Sequence, residues 1–272
     1  MKKKKFFNFT YTKYFKKKII KPKNLRELKI VLGKKFTMVG NLRSYGDSAI
    51  GSNNHITLKN FNQIIKFNKK DNLIEVESGI VLEDLLKFST NKGFILPCMP
   101  GCKYVTLGGM IANNISGKLY SNNKFKSHIV SLKILNNKNK IVECSERKNK
   151  KLFDITVGGK GISGPILSAK IKLRKIVSNK IYQKSVYFNS YKNFIIELKQ
   201  NKNFEYIVVW LDFSSNKFTG FFFFGKHVKK NDTINFNFKD YIFPNYLLYF
   251  FGLFVRLKYF TLIFNNIFKI KN

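Results

Sequence analysis

Acidic residues are scarce in this chain: 15 Asp+Glu stand against 51 Lys+Arg, a formal net charge of +36. Such an excess can mark a nucleic-acid or anionic-membrane surface. The basic residues are nearly all Lys, however, and they travel with Asn, Ile and Phe throughout, with runs only at Lys2–Lys5 and Lys16–Lys18. The excess therefore reads as compositional, with a secondary attraction to acidic lipid headgroups at a peripheral membrane surface. No recognition motif supports a specific nucleic-acid partner. Cysteine is also sparse, and the three present (Cys98, Cys102, Cys144) cannot all pair. Without a framework spacing they read as reduced thiols of a cytoplasmic protein, one extending at most to the inner face of the cell membrane. Cys98 and Cys102 stand four apart, but no His cluster accompanies them, so no metal site is expected. Long apolar runs are missing too. The basic start leads into Phe6-Phe7-Asn8-Phe9, too short and polar for a signal peptide. Tyr246–Val255 is stopped by Arg256, far short of the roughly 20 apolar residues that a spanning helix needs.

What is present is a hydrophobic fraction of 44%, ordinary for a globular chain of 272 residues. Residues 1–22 read as a basic, aromatic arm. Asn24 then caps a helical pattern that Gly33 ends. Strands are expected at Phe36–Val39, Leu73–Glu77, Ile129–Leu135, Lys140–Glu143 and Ile166–Leu173, with a helical face at Val81–Leu86. Residues 97–126 make a long small-residue loop holding one short helix near Gly108–Asn113. Beyond Ser178 the glycine-rich character fades into strand patterns around a helix at Tyr191–Lys199. The expectation is an α+β fold with a boundary near Ser178.

Three glycine-rich turns, each expected to follow a strand, carry the chemistry: Gly40-Asn41-Leu42-Arg43-Ser44-Tyr45-Gly46, Pro100-Gly101-Cys102 through Thr106 to Gly108-Gly109, and Gly158–Gly164. Glycine lets the backbone approach a ligand closely, and successive amides form concave donors for phosphate oxygens. None is a Gly-x-Gly-x-x-Gly dinucleotide fingerprint or a P-loop. Together they point to a large, phosphate-bearing cofactor.

These turns resemble the flavin loops of the FAD-linked oxidases that share the vanillyl-alcohol-oxidase or p-cresol-methylhydroxylase (PCMH-type) FAD-binding fold. The likeness is marked for the branch oxidising polyprenyl-phosphate-linked ribose. Val39–Ala49 resembles the pyrophosphate loop, Leu96–Ala112 with Ile115–Lys118 the second loop, and Thr156–Gly164 the third. Glu205–Asp212 is similar to the opening of the family's substrate domain.

The resemblance implies a PCMH-type FAD-binding domain over residues 1–178, then an incomplete α+β substrate domain over 179–272. It implies FAD held without a covalent bond, since covalent relatives carry His where Tyr45 stands. Cofactor contacts are implied at Gly40, Asn41, Leu42, Arg43, Ser44, Tyr45, Gly46, Pro100, Gly101, Cys102, Thr106, Gly108, Gly109, Ala112, Asn113, Ser116, Gly117, Gly161, Gly164 and Ile166. Tyr45 and Lys118 become candidate active-site contacts. The implied reaction is hydride transfer from a sugar secondary alcohol, in the family's case a polyprenyl-phosphate pentose of cell-envelope glycolipid synthesis, to the flavin. Aldonolactone oxidation is the alternative within the same fold. Ser116 replaces a family His, and the family's active-site lysine would lie beyond residue 272. A truncated or split product follows as an expectation: inactive alone, or complemented by a C-terminal chain, with an epimerising reductase as a further partner. His55, His128 and His227 are scattered and read as non-catalytic.

Overall fold

A computed structural model describes residues 4–7, 14–32, 36–118, 124–213 and 217–228. The apolar segment Tyr246–Val255 and the tail lysines lie outside the described residues. The chain divides into two compact units, residues 1–176 and 177–272.

The first unit opens with β1 (Lys4–Phe7) and β2 (Tyr14–Lys17), an antiparallel pair that sets Lys4 opposite Lys17 and Phe6 opposite Phe15. The segment expected as an arm is thus partly strand, and its Phe and Tyr residues suit that conformation. β3 (Ile19–Ile20) precedes α1 (Leu25–Leu32), whose start is capped twice. The Asn24 side chain accepts from the Glu27 amide at 3.0 Å, and Glu27 reaches back to the Lys23 amide at 2.8 Å. β4 (Phe36–Met38) and β5 (Asn54–Ile56) then join β3 in a parallel sheet of order β3-β5-β4.

β6 (Ile64–Asn68) and β7 (Leu73–Glu77) lead into α2 (Leu82–Thr90) and the short β8 (Phe94–Ile95). α3 (Leu107–Ala112) follows, then β9 (Ile129–Leu135), β10 (Ile141–Cys144), α4 (Lys150–Thr156), β11 (Ile166–Lys172) and β12 (Arg174–Lys175). The main sheet runs β10-β9-β11-β7-β6, and every neighbouring pair in it is antiparallel. One face is apolar because Ile74, Val76, Leu132, Ile134, Ala169 and Ile171 alternate inward. They pack with Leu82 and Leu85 of α2, Leu107, Met110 and Ile111 of α3 and Phe153 of α4 in one core.

The second unit is an antiparallel sheet of β13 (Ile181–Phe188), β15 (Thr219–His227) and β14 (Tyr206–Asp212), in that order, with α5 (Tyr191–Gln200) connecting β13 to β14. Ser190 caps α5 by accepting from the Asn193 amide at 3.2 Å. Phe188, Phe222 and Phe224 are buried, with Phe194 and Leu198 of α5 against them. Trp210 is half-buried and lies beside Phe221.

Two corrections to the expected order concern the loops. The third glycine turn leaves a helix, α4, rather than a strand. α4 is hard to read from sequence because Lys150, Lys151 and Asp154 interrupt its apolar spacing, and Asn149 sits at φ +50° with no side-chain cap. β5 likewise escapes notice because Asn-His-Ile is short and polar.

Candidate functional site

The first glycine loop, residues 39–53, joins β4 to β5. The Val39 amide extends the ladder to the Ile56 carbonyl at 2.8 Å, and at Gly40 the chain turns off the sheet. A Cβ on Gly40 would lie 2.4 Å from the Thr106 hydroxyl oxygen, so only glycine lets this loop touch the second one. The Asn41 side-chain amide donates to the Tyr104 carbonyl at 2.9 Å, and the Arg43 guanidinium lies over the Tyr104 ring at 5.8 Å. Within the loop the Ser48 hydroxyl donates to the Tyr45 carbonyl, and the Ile50 amide to that of Asp47.

The second loop is held to the turn that follows β7. The Gly108 amide donates to the Ser78 carbonyl at 2.7 Å, Leu107 to Ile80, and Leu82 back to Val105. Thr106 caps α3, its hydroxyl accepting from the Gly109 amide at 3.2 Å. Gly79 permits the fit, since a Cβ there would stand 1.8 Å from the Leu58 carbonyl oxygen.

The third loop, from Val157 to Pro165, closes on the end of α3: the Gly158 amide donates to the Ile111 carbonyl at 3.0 Å, and Lys160 to Ala112 at 2.9 Å. Its backbone is left-handed at Gly158, Lys160, Gly161 and Gly164. Lys126 fastens the neighbouring segment to α4 with a contact of 2.6 Å to Asp154. Each ammonium and carboxylate there shifts in the direction expected of a partner: Lys126 upward and Asp154 downward, chiefly through their mutual hydrogen bond.

Between the three loops lies a cavity of about 760 Å³, within the range of small-molecule and cofactor sites, roughly 300–1,000 Å³. Of the residues expected as cofactor contacts, its lining takes in Gly40 through Tyr45, Pro100, Gly101, Cys102, Thr106, Gly108, Gly109, Ala112, Asn113, Gly161, Gly164 and Ile166. Gly46, Ser116, Gly117 and Lys118 lie outside it. Gly46 serves its turn, at φ +58° with open space around it. Gly117 is excluded by packing, because a Cβ there would crowd the Met99 amide and Cys98. The Lys118 side chain is exposed, and its amide is spent on the Met99 carbonyl. Tyr45, 79% exposed, stands at the outer edge of the cavity. The sequence reading passed over Ser78, Gly79, Thr57, Leu58 and Lys160. Ser78-Gly79 directly after an alternating strand was the available signal for a fourth close approach.

Eight lining residues are glycine, so the wall presents backbone more than side chains. Among the described residues its only charged side chains are Arg43 and Lys160, and no carboxylate lines it. Backbone donors, two cations and apolar patches such as Val39, Met110 and Ile166 fit an elongated anionic cofactor with an apolar ring system. Among the described residues no group of three His, Cys, Asp or Glu could hold a metal ion. Cys98 and Cys144 are buried, and burial pushes each thiol up to about 11. His55 is fully buried on β5, where burial and then the Lys17 charge hold it below the ordinary imidazole range.

Residues 23–145 match the family model for the FAD binding domain. Similar proteins include the decaprenylphosphoryl-beta-D-ribose oxidase of Mycolicibacterium smegmatis, 34% identical over 134 residues, 48% of this chain and 29% of that one. A D-lactate dehydrogenase of Anaerostipes hadrus is 25% identical over 134 residues, 47% of this chain and 28% of that one. The L-gulonolactone oxidase of Bos taurus is 26% identical over 157 residues, 56% of this chain and 36% of that one. The chain thus spans about a third of the length of these relatives. Their names give three different substrates. The first two of the three loops around this anion-fitting cavity lie inside the segment that matches the FAD binding domain, and FAD is the cofactor the first unit is built to take.

Proposed function

We propose that the chain is the flavin-binding part of an FAD-dependent oxidoreductase acting on a CH–OH group, with a polyprenyl-phosphate-linked pentose as substrate. The cavity between the three glycine loops, two of them inside the segment that matches the FAD binding domain, carries the reading. The pentose is supported by the likeness to a decaprenylphosphoryl-ribose oxidase, and the likeness to an L-gulonolactone oxidase keeps an aldonolactone as the second reading. FAD, when bound, accepts the hydride. The protein's own part is to seat the diphosphate on backbone amides and to orient the ring system at the open end, near Tyr45 and Cys102.

Tyr45 at the position of a linking His supports non-covalent binding. Acid precipitation of the yellow protein should leave the chromophore in the supernatant; colour retained in the pellet would rule this out, and a colourless protein would undo the flavin reading. Substrate choice is tested by anaerobic bleaching with a polyprenyl-phosphoryl ribose or with an aldonolactone, alone and with a supplied C-terminal fragment of a relative. Bleaching by neither would remove both substrates. The cation excess supports peripheral attachment to anionic lipid at the cytoplasmic membrane face. A high-salt wash should release the protein from anionic vesicles, since screening acts within about 8 Å at physiological ionic strength.

A further inference from the structure

Lys160 stands in an unusual place for a lysine. Its φ is +51°, in the left-handed region where glycine is at ease and other residues are strained, and Gly158, Gly159 and Gly161 flank it. Its backbone is also fixed. The amide donates to the Ala112 carbonyl at 2.9 Å, and the next residue, Gly161, comes within 3.7 Å of the Met38 Cβ when given a Cβ of its own. The third loop therefore holds Lys160 against the end of α3, with its neighbour Gly161 beside Met38 at the end of β4. Among the described residues the other cation in the cavity wall, Arg43, already lies over the Tyr104 ring, and no carboxylate in the wall competes for Lys160.

We propose that Lys160 is the cationic partner of the cofactor's diphosphate, and that it sets the preference of the site for FAD over flavin without phosphate. The inference rests on the FAD reading above. FAD carries its negative charge on the diphosphate alone, and riboflavin carries none. An ammonium in the wall therefore distinguishes the two by charge, while backbone amides supply directional hydrogen bonds. Lys160 is exposed, but a solvated lysine needs no particular backbone, whereas this one sits in a left-handed backbone at the cavity wall, where a ligand can reach it.

The test uses full-length protein freed of flavin, with FAD and riboflavin titrated by fluorescence quenching at several salt concentrations. Lys160→Asn removes the charge but tolerates the left-handed backbone, Lys160→Gly relaxes that backbone, and Lys160→Arg keeps the charge. The Asn and Gly variants should weaken FAD about tenfold, the size of one charge-assisted contact, and flatten its dependence on salt. Riboflavin affinity should not change, and Lys160→Arg should stay within about threefold of the parent. Unchanged FAD affinity and salt slope in both neutral variants would overturn the proposal. So would equal weakening of FAD and riboflavin, which reports a distorted loop. Failure of the parent protein to bind FAD would instead overturn the flavin reading, and this inference with it.

Discussion

Where α5 covers its sheet the second unit packs ring on ring: Phe194 stacks on Phe222 at 4.9 Å, Phe222 on Phe224 at 4.9 Å, and Phe188 meets Phe194 edge-on at 5.3 Å. In the first unit the decisive contacts are made where there is no side chain at all, at Gly40 against Thr106 and Gly79 against Leu58. An aromatic core tolerates some rearrangement, because apolar residues of similar volume can replace one another. A glycine contact with a carbonyl oxygen has no such latitude. The two units should therefore respond differently to single substitutions: the first loses its ligand, at Gly79 together with its stability, and the second loses stability while the flavin site is untouched.

The contrast is sharpest at Gly79. A Cβ 1.8 Å from the Leu58 carbonyl and 2.7 Å from that of Phe61 forces the backbone apart. Gly79→Ala should cost more than about 3 kcal/mol, above the usual range for overpacking, and should abolish soluble, flavin-bearing protein. A normal yield of yellow Gly79→Ala protein would break the comparison at its strongest point. Phe222→Ala in the second unit should cost about 3–5 kcal/mol of stability, read by chemical denaturation, with flavin content per folded molecule unchanged. Gly109→Val should lose flavin while remaining folded, since its nearest crowding is the Thr106 hydroxyl at 3.2 Å; Lys138→Ala, in the exposed turn between β9 and β10, should hold flavin normally. Thr106→Ala, which removes the α3 cap, should cost about 1 kcal/mol and weaken FAD only modestly.

The smallest effect expected is on pH. His55 and His128, both in the first unit, are held below the ordinary imidazole range, chiefly by burial. Below about pH 6.5 the unfolded chain binds protons that the folded one refuses. Stability of the first unit should therefore be full above that pH and decline as pH falls through it. A denaturation midpoint flat from pH 7 to 5 would remove this role for both histidines.

Local chemistry made much of the first unit legible. Asn24 with Glu27 marked α1, alternation marked β7, β9 and β11, and Gly108-Gly109 marked α3 to within a residue. The glycines of the first two loops signalled most of the cavity wall for the same reason: an obligatory glycine announces a close approach. What stayed hidden depends on neighbours distant in sequence. Asn54–Ile56 becomes a strand only because β3 and β4 flank it, and Lys160 joins the wall only because the third loop bonds to the end of α3. Ser116 and Gly117, suggested by the same motif, stand outside the cavity lining, and Gly117 packs closely against Cys98 and Met99.

Parallel neighbours such as β4 and β5 usually need a crossover of a dozen or more residues, most often helical. Here that crossover is the first glycine loop itself, so the segment joining two adjacent strands is also the wall that meets the ligand. Its integrity can be followed with a protease. Arg43 is the only Lys or Arg between residues 39 and 53, and it is exposed. Trypsin should nick the flavin-free protein there, leaving β4 and β5 hydrogen-bonded but no longer covalently joined on that side. Added FAD should shield the bond, because a ligand seated against the loop removes the open conformations that cleavage requires. The rate of that single cut would report occupancy of the cavity without any need for turnover.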